Sequence, residues 1–324
     1  MKREKTQMKT NTTAAGQQRK VMNPFLDWSF KYLFSTERSK ENLLGFLNLL
    51  LMPQYTITDI QYINNEVLPV SQELRGCTFD IICKDSNEDK YLVEMQNSPA
   101  VNIKERIIYY TCRLIDRMGK RGSEWDYSDI KRVYSICLMD FTYESSPKLR
   151  RDIQLYDLDE CKPFSDKLNI ILLQIPCLKA ENLHECNGYY EYLLFLLQEM
   201  KRGMKTVDEL KQEVSATRLP QATKDLFYRV LETADVGSLS EKELMRYETD
   251  LKNYMDTMSC IRYAKLTGKQ EGIEEGKAKG IEEGITKGKQ EEKLEIAKSM
   301  KLDGVSISAI AKYTNLSKKE IEKL

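Results

Sequence analysis

Residues 75–96 of the chain read RGCTFDIICKDSNEDKYLVEMQ, and this stretch decides the fold. In its first part, residues 77–83, two sets of side chains alternate with a period of two, which is the pattern of a β-strand with two distinct faces. A second alternating segment, residues 91–96, follows a polar run whose composition is typical of a turn. The stretch therefore predicts a β-hairpin.

One face of this hairpin carries two carboxylates. The alternation separates Asp80 from Phe79 and places Glu94 and Gln96 together, and a turn centred on Asn87 sets Asp80 opposite Glu94. Carboxylates directly opposite each other on neighbouring strands lie about 5 Å apart and repel. Mg²⁺ relieves such repulsion because it takes oxygen ligands from one or two carboxylates. An ordinary surface hairpin with its polar face in water is the alternative interpretation.

Further motifs accompany the hairpin in a set order along residues 23–141. They are DWSFKYLF at 27–34, FDI at 79–81, EMQ at 94–96, Arg106 with Tyr109 and Tyr110, and VYSICLMDF at 133–141. The ordered set resembles the Rpn family of recombination-promoting nucleases and transposases, within the PD-(D/E)XK nuclease superfamily. Phe79 stands where the superfamily pattern has a proline, which is not a metal ligand.

The resemblance implies an α/β fold with a PD-(D/E)XK core, a mixed sheet flanked by helices, followed by a helical C-terminal region. It implies a metal-dependent DNA endonuclease in which Asp80 and Glu94 hold Mg²⁺, or alternatively Mn²⁺. Gln96 would position the attacking water or complete the site, and Asp27 on the first helix would support it. A neutral amide cannot replace the charge of the superfamily lysine, so Gln96 predicts slow or strongly metal-dependent activity.

Two other functions stay open at this point. One is a nucleic-acid-binding protein whose nuclease site is degenerate, and the other is an interaction protein assembled through a glycine repeat. The chain has 50 basic and 50 acidic residues, so a DNA surface must come from local clustering of positive charge.

A basic stripe is predicted on the helix that follows the hairpin, at residues 101–121. Arg106, Tyr110, Arg113 and Arg117 recur at i, i+4, i+7 and i+11, which places them in one line. Such a stripe fits a phosphate backbone, although a solvated edge of an amphipathic helix is the alternative. The predicted DNA contacts are Arg106, Arg113, Arg117 and Lys31, whereas Tyr110 is expected to contribute stability by packing against the sheet.

The first helix is predicted to begin at Asn23 as N-cap, with Pro24 in the first helical position. Asp27 and Lys31 are four residues apart in this helix and can form an ion pair with each other. This pairing is the simpler alternative to a role in catalysis or DNA binding.

The composition predicts a cytoplasmic protein without a membrane segment. The eight cysteines contain no CxxC pair, and no secretory segment is recognised at the polar N-terminus. The longest apolar run, residues 43–52, is far shorter than the roughly 20 residues needed to cross a bilayer. His184 is the single histidine, which excludes sites that need two.

Five regions are predicted along the chain. They are a disordered basic arm (1–22), a nuclease domain (23–180), a helical region (181–266), a charged glycine repeat (267–293) and a small tail resembling a helix-turn-helix (294–324). In the repeat, every fourth residue from Gly268 to Gly288 is glycine, at a cost of about 1 kcal/mol each in a helix. Helical self-association, giving a homo-oligomer, and a flexible linker are both open explanations.

Overall fold

The structure is a computed structural model, and its described residues are 21–51, 56–64, 66–67, 77–100, 102–119, 125–143 and 147–324. The chain divides into two compact units, one ending at Asn253 and the other spanning Tyr254–Leu324. The predicted basic arm lies outside the described residues except for Val21 and Met22, which are fully buried. The Met22 N–H donates to the Ala234 carbonyl oxygen (2.8 Å), so these two residues belong to the folded unit.

A mixed six-stranded sheet forms the centre of the first unit. The strands in chain order are β1 (Ile60–Tyr62), β2 (Glu66–Val67), β3 (Cys77–Thr78), β4 (Ile81–Asp85), β5 (Lys90–Gln96), β6 (Val133–Met139), β7 (Arg150–Asp157) and β8 (Lys162–Gln174). The main sheet has the order β1-β4-β5-β6-β8-β7, while β2 and β3 form a separate two-stranded sheet. β5, β6 and β8 run parallel, and the other neighbours in the main sheet are antiparallel.

Helices cover the sheet and continue to the C-terminus. They are α1 (Asp27–Phe34), α2 (Lys40–Leu51), α3 (Ile103–Asp116), α4 (Tyr189–Arg202), α5 (Val207–Ala216), α6 (Gln221–Thr233), α7 (Glu241–Leu302), α8 (Ile307–Thr314) and α9 (Lys318–Glu322). α3 connects the parallel strands β5 and β6, and α4 and α6 pack against α2. The predicted mixed sheet flanked by helices is confirmed, and helices of the predicted region 181–266 complete the first unit.

The hairpin has the predicted register, but its first arm is broken. Ile81 lies opposite Val93, and this pairing continues along β4 and β5. β3 instead pairs with β2, so the chain bends between the two strands at Phe79 and Asp80. Phe79 packs in the same core cluster as Ile82, which a continuous alternating strand would have placed on the opposite face. The prediction of one unbroken arm is therefore wrong, and Asp80 lies at the bend.

α1 begins three residues later than its sequence suggests. The Asn23 side chain accepts a hydrogen bond from the Phe25 N–H (3.0 Å) and forms a turn before the helix. At the true start of α1, the Trp28 N–H donates to Asp250 on α7 (2.9 Å), which satisfies one of the open donors of the helix N-terminus. α7 thereby fixes the helix that carries Asp27.

The second unit contains α7 from Tyr254 onward together with α8 and α9. Its small core consists of Ala297, Ile310, Leu316 and Ile321. Gly304 and Asn315, which both have positive φ angles, lie in the turns between α7, α8 and α9. α7 continues through the glycine repeat, and a Cβ built on any of its six glycines would meet no atom within 4 Å. Among the described helices, none is long and apolar enough to cross a membrane.

We predict that Gly45→Ala destabilises the first unit. A Cβ at this position in α2 would lie 2.4 Å from Cδ1 of Leu226, a buried side chain of α6. Overpacking of this kind costs about 1–3 kcal/mol, which exceeds the gain of roughly 1 kcal/mol in helix propensity. Thermal unfolding followed by circular dichroism should show a lower Tm. Gly276→Ala is the control, because its Cβ meets open space and should not lower the Tm; equal Tm values for both variants would refute the prediction.

Candidate active site

The two predicted carboxylates lie next to each other at one end of the hairpin. The Asp80 N–H donates to Oε1 of Glu94 (3.2 Å), and the Met95 N–H donates to Oδ2 of Asp80 (2.9 Å). The bend before β4 supplies Asp80, and the last residues of β5 supply Glu94. Only 6% of the Glu94 side chain and 20% of the Asp80 side chain are exposed. The hairpin thus holds two carboxylates side by side in a largely buried site.

Arg106 and Gln96 surround the Glu94 carboxylate. The Arg106 guanidinium donates to Oε2 of Glu94 and to Oε1 of Gln96, at 3.3 Å in both cases. The Gln96 amide also donates to Oε2 of Glu94 (3.4 Å). Arg106 therefore contacts the carboxylate site, and its predicted DNA contact stays a prediction.

Aromatic packing fixes the position of Arg106. Its guanidinium lies 5.2 Å from the ring centre of Tyr110, one helical turn further along α3. The Tyr110 ring in turn meets the buried Phe79 edge to face, with 5.2 Å between the centres. Tyr110 thus packs against the core as predicted, and it also supports the cation of the site.

Lys31 connects α1 to the carboxylates. Its ammonium lies 2.7 Å from Asp27 and 3.8 Å from Oδ1 of Asp80. The simple ion pair within α1 is present, and Lys31 also adds a second positive charge at the site. The Asp27 side chain is 64% exposed and, among the described residues, contacts the site only through its ion pair with Lys31.

The other two arginines of the predicted stripe lie towards the opposite end of α3. Arg113 pairs with Asp116 (3.0 Å), and only 13% of its side chain is exposed. Arg117 ends the helix near Lys90, where burial and the charge of Arg117 lower the lysine pKa. Lys90 begins β5, whereas Glu94 lies near its end. Arg106 therefore lies apart from Arg113 and Arg117. The predicted DNA contacts of Arg113 and Arg117 stay predictions.

Burial raises the pKa of both carboxyl groups. The pKa of Glu94 rises to about 8, through desolvation and then through the neighbouring charge of Asp80. Desolvation also raises the pKa of Asp80, although the Met95 N–H and the Lys31 charge partly offset the effect. The pair is therefore hard to ionise fully without further positive charge.

The donor set fits a hard divalent cation. Within the described part of the chain, no cluster of three or more histidine, cysteine or acidic side chains could hold a metal. Asp80 and Glu94 would thus be the side-chain ligands. Two carboxylates with additional water ligands suit Mg²⁺, which keeps several waters when it binds proteins. The oxygen ligands, their proximity and their raised pKa values are consistent with such an ion.

Comparison with known proteins agrees with this geometry. A family model described as PD-(D/E)XK nuclease family transposase matches residues 24–264. The match covers well over half of the chain and includes all predicted site residues. The chain belongs to this family. No curated protein and no solved structure matches the chain.

In this member of the PD-(D/E)XK nuclease family, the cation beside Glu94 comes from a helix. Gln96 occupies the strand position where the superfamily pattern has lysine, and Arg106 of α3 places its guanidinium beside Gln96 and Glu94. The contact between Arg106 and Glu94 depends on how α3 packs over β5, which the sequence does not specify. The neutral residue at position 96 was the available signal that a cation must come from elsewhere.

We predict that the metal-free transposase-family protein becomes less stable as the pH rises from about 5 to about 8. The folded-state pKa of Glu94 is about 8 and its ordinary value is 4.5, so the folded protein binds more protons than the unfolded chain in this interval. The titration of this one carboxyl group then lowers the free energy of unfolding by up to about 1.4 kcal/mol for each pH unit. Urea unfolding in EDTA at several pH values measures this slope. Glu94→Gln should flatten it, and an unchanged slope in that variant would contradict the assignment.

Proposed function

We propose that the protein is a divalent-metal-dependent DNA endonuclease that acts in recombination or transposition-like DNA processing. The observation that supports this function best is the buried pair of Asp80 and Glu94 at the end of the hairpin, with cations on both sides. An ordinary surface hairpin would leave both carboxylates in water, where their repulsion is small. Membership of a nuclease family agrees with this site and makes DNA the expected substrate.

In the proposed reaction, Asp80 and Glu94 would hold Mg²⁺, with Mn²⁺ as the alternative. Such an ion would supply activation of the attacking water and stabilisation of negative charge on the scissile phosphate. The Arg106 guanidinium would stabilise the same developing charge from the α3 side. Gln96 links Glu94 to Arg106 by hydrogen bonds and so fixes the orientation of both side chains.

Lys31 is the proposed contact of the site with the DNA backbone. Its ammonium lies between Asp27 and Asp80, at the partly exposed side of the carboxylate pair. A phosphate that approaches Asp80 would therefore meet this charge first. Asp27 holds the lysine in place and acts as a positioning residue.

A second candidate is a nucleic-acid-binding protein whose nuclease site is degenerate. The observation that favours it is the neutral Gln96, since the amide cannot take over the proton transfers or the charge of a lysine. Arg106 supplies a charge close to that position, which is why we prefer the active enzyme. Self-association through the helical repeat from Gly268 to Gly288 and a cytoplasmic location are further proposals.

Cleavage of supercoiled plasmid tests the proposed function. We expect nicked and linear products with Mg²⁺ or Mn²⁺ and none with EDTA. A matched binding assay in EDTA, carried out at several salt concentrations, measures DNA affinity without turnover. Salt-dependent binding without cleavage under any metal would favour the degenerate site and contradict the enzyme.

A further inference from the structure

A groove of about 590 Å³ lies beside α3, on the same face of the sheet as the carboxylate site. Its floor is apolar and belongs to the core cluster between α3 and the parallel strands. The floor residues are Ile103, Ile107, Met139, Ile170 and Leu172. Two exposed isoleucines, Ile108 on α3 and Ile153 on β7, extend the apolar surface to the rim.

The rim of the groove is positively charged. Four cationic side chains line it, and Asp152 is the one acidic residue among the described lining residues, which leaves a net charge of +3. Asp152 is held by the guanidinium of Arg150, with both carboxylate oxygens in contact (2.8–3.1 Å). The four cationic residues are Lys104, Lys148, Arg150 and Arg151.

The groove also offers an aromatic surface. The Tyr143 ring lines it and lies 5.1 Å from the ammonium of Lys104. Aromatic rings that stand next to cations are the usual platform for unpaired bases, which stack on the ring while the cation meets the phosphate.

The groove adjoins the active site, and α3 lines both. Ile103 and Ile107 line both the groove and the small cavity beside Glu94 and Gln96. Glu94 pairs with Cys137 of β6, and Cys137 pairs with Leu172 of β8, so Glu94 and the groove floor lie two strand spacings, roughly 10 Å, apart. A DNA strand with one phosphate per 3.4 Å covers that distance in roughly three nucleotides.

We propose that this groove binds unpaired nucleotides of the DNA strand whose phosphate lies at Asp80 and Glu94. This inference rests on the proposed function, since it assigns part of the substrate of the same site. A duplex backbone would use the charged rim but would leave the exposed side chains of Ile108 and Ile153 in water. Unpaired bases cover these two side chains and stack on the Tyr143 ring while their phosphates contact the rim, so single-stranded DNA satisfies both parts of the groove.

The test compares two DNAs in the Asp80→Asn background, which prevents cleavage. One is a blunt duplex, and the other is the same duplex with a short unpaired tail. We expect the tailed DNA to bind about tenfold more tightly, because one or more bases stack in the groove. The Lys104→Gln/Lys148→Gln/Tyr143→Ala variant should lose this preference.

A second variant and a control separate binding from folding. Lys104 and Lys148 are exposed, so Lys104→Gln/Lys148→Gln should fold normally and reduce the salt slope for tailed DNA by about 1.4. Lys162→Gln/Lys242→Gln removes two exposed positive charges away from the groove lining and should keep both the tail preference and the slope.

The outcomes distinguish this inference from the proposed function. Three results would each overturn the groove assignment. They are a preference for tailed DNA that persists in the triple variant, an equal loss of affinity for the blunt and the tailed DNA in that variant, and no DNA binding at all. Cleavage of the same DNAs by the wild-type protein with Mg²⁺ is measured separately. Tail preference that depends on the groove, without metal-dependent cleavage, would support the groove and contradict the nuclease.

Discussion

Asp80→Asn and Glu94→Gln are each expected to lower metal-dependent plasmid cleavage by about 10³-fold or more while the fold stays intact. Each substitution removes one of the two proposed metal ligands and keeps the shape of the residue. The charge stabilisation supplied by the metal amounts to several kcal/mol, and each 1.36 kcal/mol corresponds to a tenfold change in rate. Initial rates of nicking at saturating Mg²⁺ measure the effect.

Stability measurements complete this first prediction. Without metal, Glu94→Gln should raise the Tm, because it removes a carboxyl group whose ionisation is disfavoured by burial and by the neighbouring Asp80. Added Mg²⁺ should stabilise the wild-type protein and have little effect on either variant. Glu88→Gln is the control, since it removes an exposed carboxylate from the turn of the same hairpin. Wild-type cleavage rates in both site variants would show that the metal site lies elsewhere.

Arg106→Gln is expected to lower kcat by about 10²- to 10³-fold, comparable to removing a donor that stabilises transition-state charge. Gln96→Lys should stay active, because it restores the residue of the superfamily pattern. The double variant Arg106→Gln/Gln96→Lys is the most informative, because a lysine on β5 then replaces the cation lost from α3. We expect this double variant to recover much of the activity that Arg106→Gln loses.

Arg117→Gln serves as the matched control for Arg106. It removes the same charge from the end of α3, where Arg117 lies close to Lys90. We expect a change in DNA affinity or salt dependence with kcat preserved. If the double variant is no more active than Arg106→Gln, the guanidinium has a role that a lysine at position 96 cannot supply, and the proposed exchange of cations is wrong.

The sequence predicts the hairpin register because the turn and the alternating strands depend on neighbouring residues. The bend at Phe79 and Asp80 was missed because the period of two continues through it in the sequence. What breaks the strand is the pairing of β3 with β2, a contact with a segment earlier in the chain. Tertiary pairing of this kind has no local signature.

Two other features depend on contacts that sequence alone does not specify. β7 was not predicted because most of its residues are exposed and polar, so its hydrophobic pattern is weak. It adds to the sheet by pairing with β8. Arg106 was expected to face a DNA backbone, and the structure places it on Glu94 because of the way α3 packs over β5. The spacing of arginines along a helix does not indicate which of them faces the sheet.

Arg106 belongs to α3 and Glu94 to β5, so the contact between them depends on whether α3 is docked on the sheet. A cation on β5 would be fixed to Glu94 by the backbone of one strand, whereas Arg106 loses contact with Glu94 whenever α3 detaches from the sheet. The fraction of molecules with a complete site then equals the fraction with α3 docked. A ligand that bridges α3 and β7, as a strand in the groove would, favours the docked state. Hydrogen exchange of the α3 amides should therefore slow when tailed DNA binds.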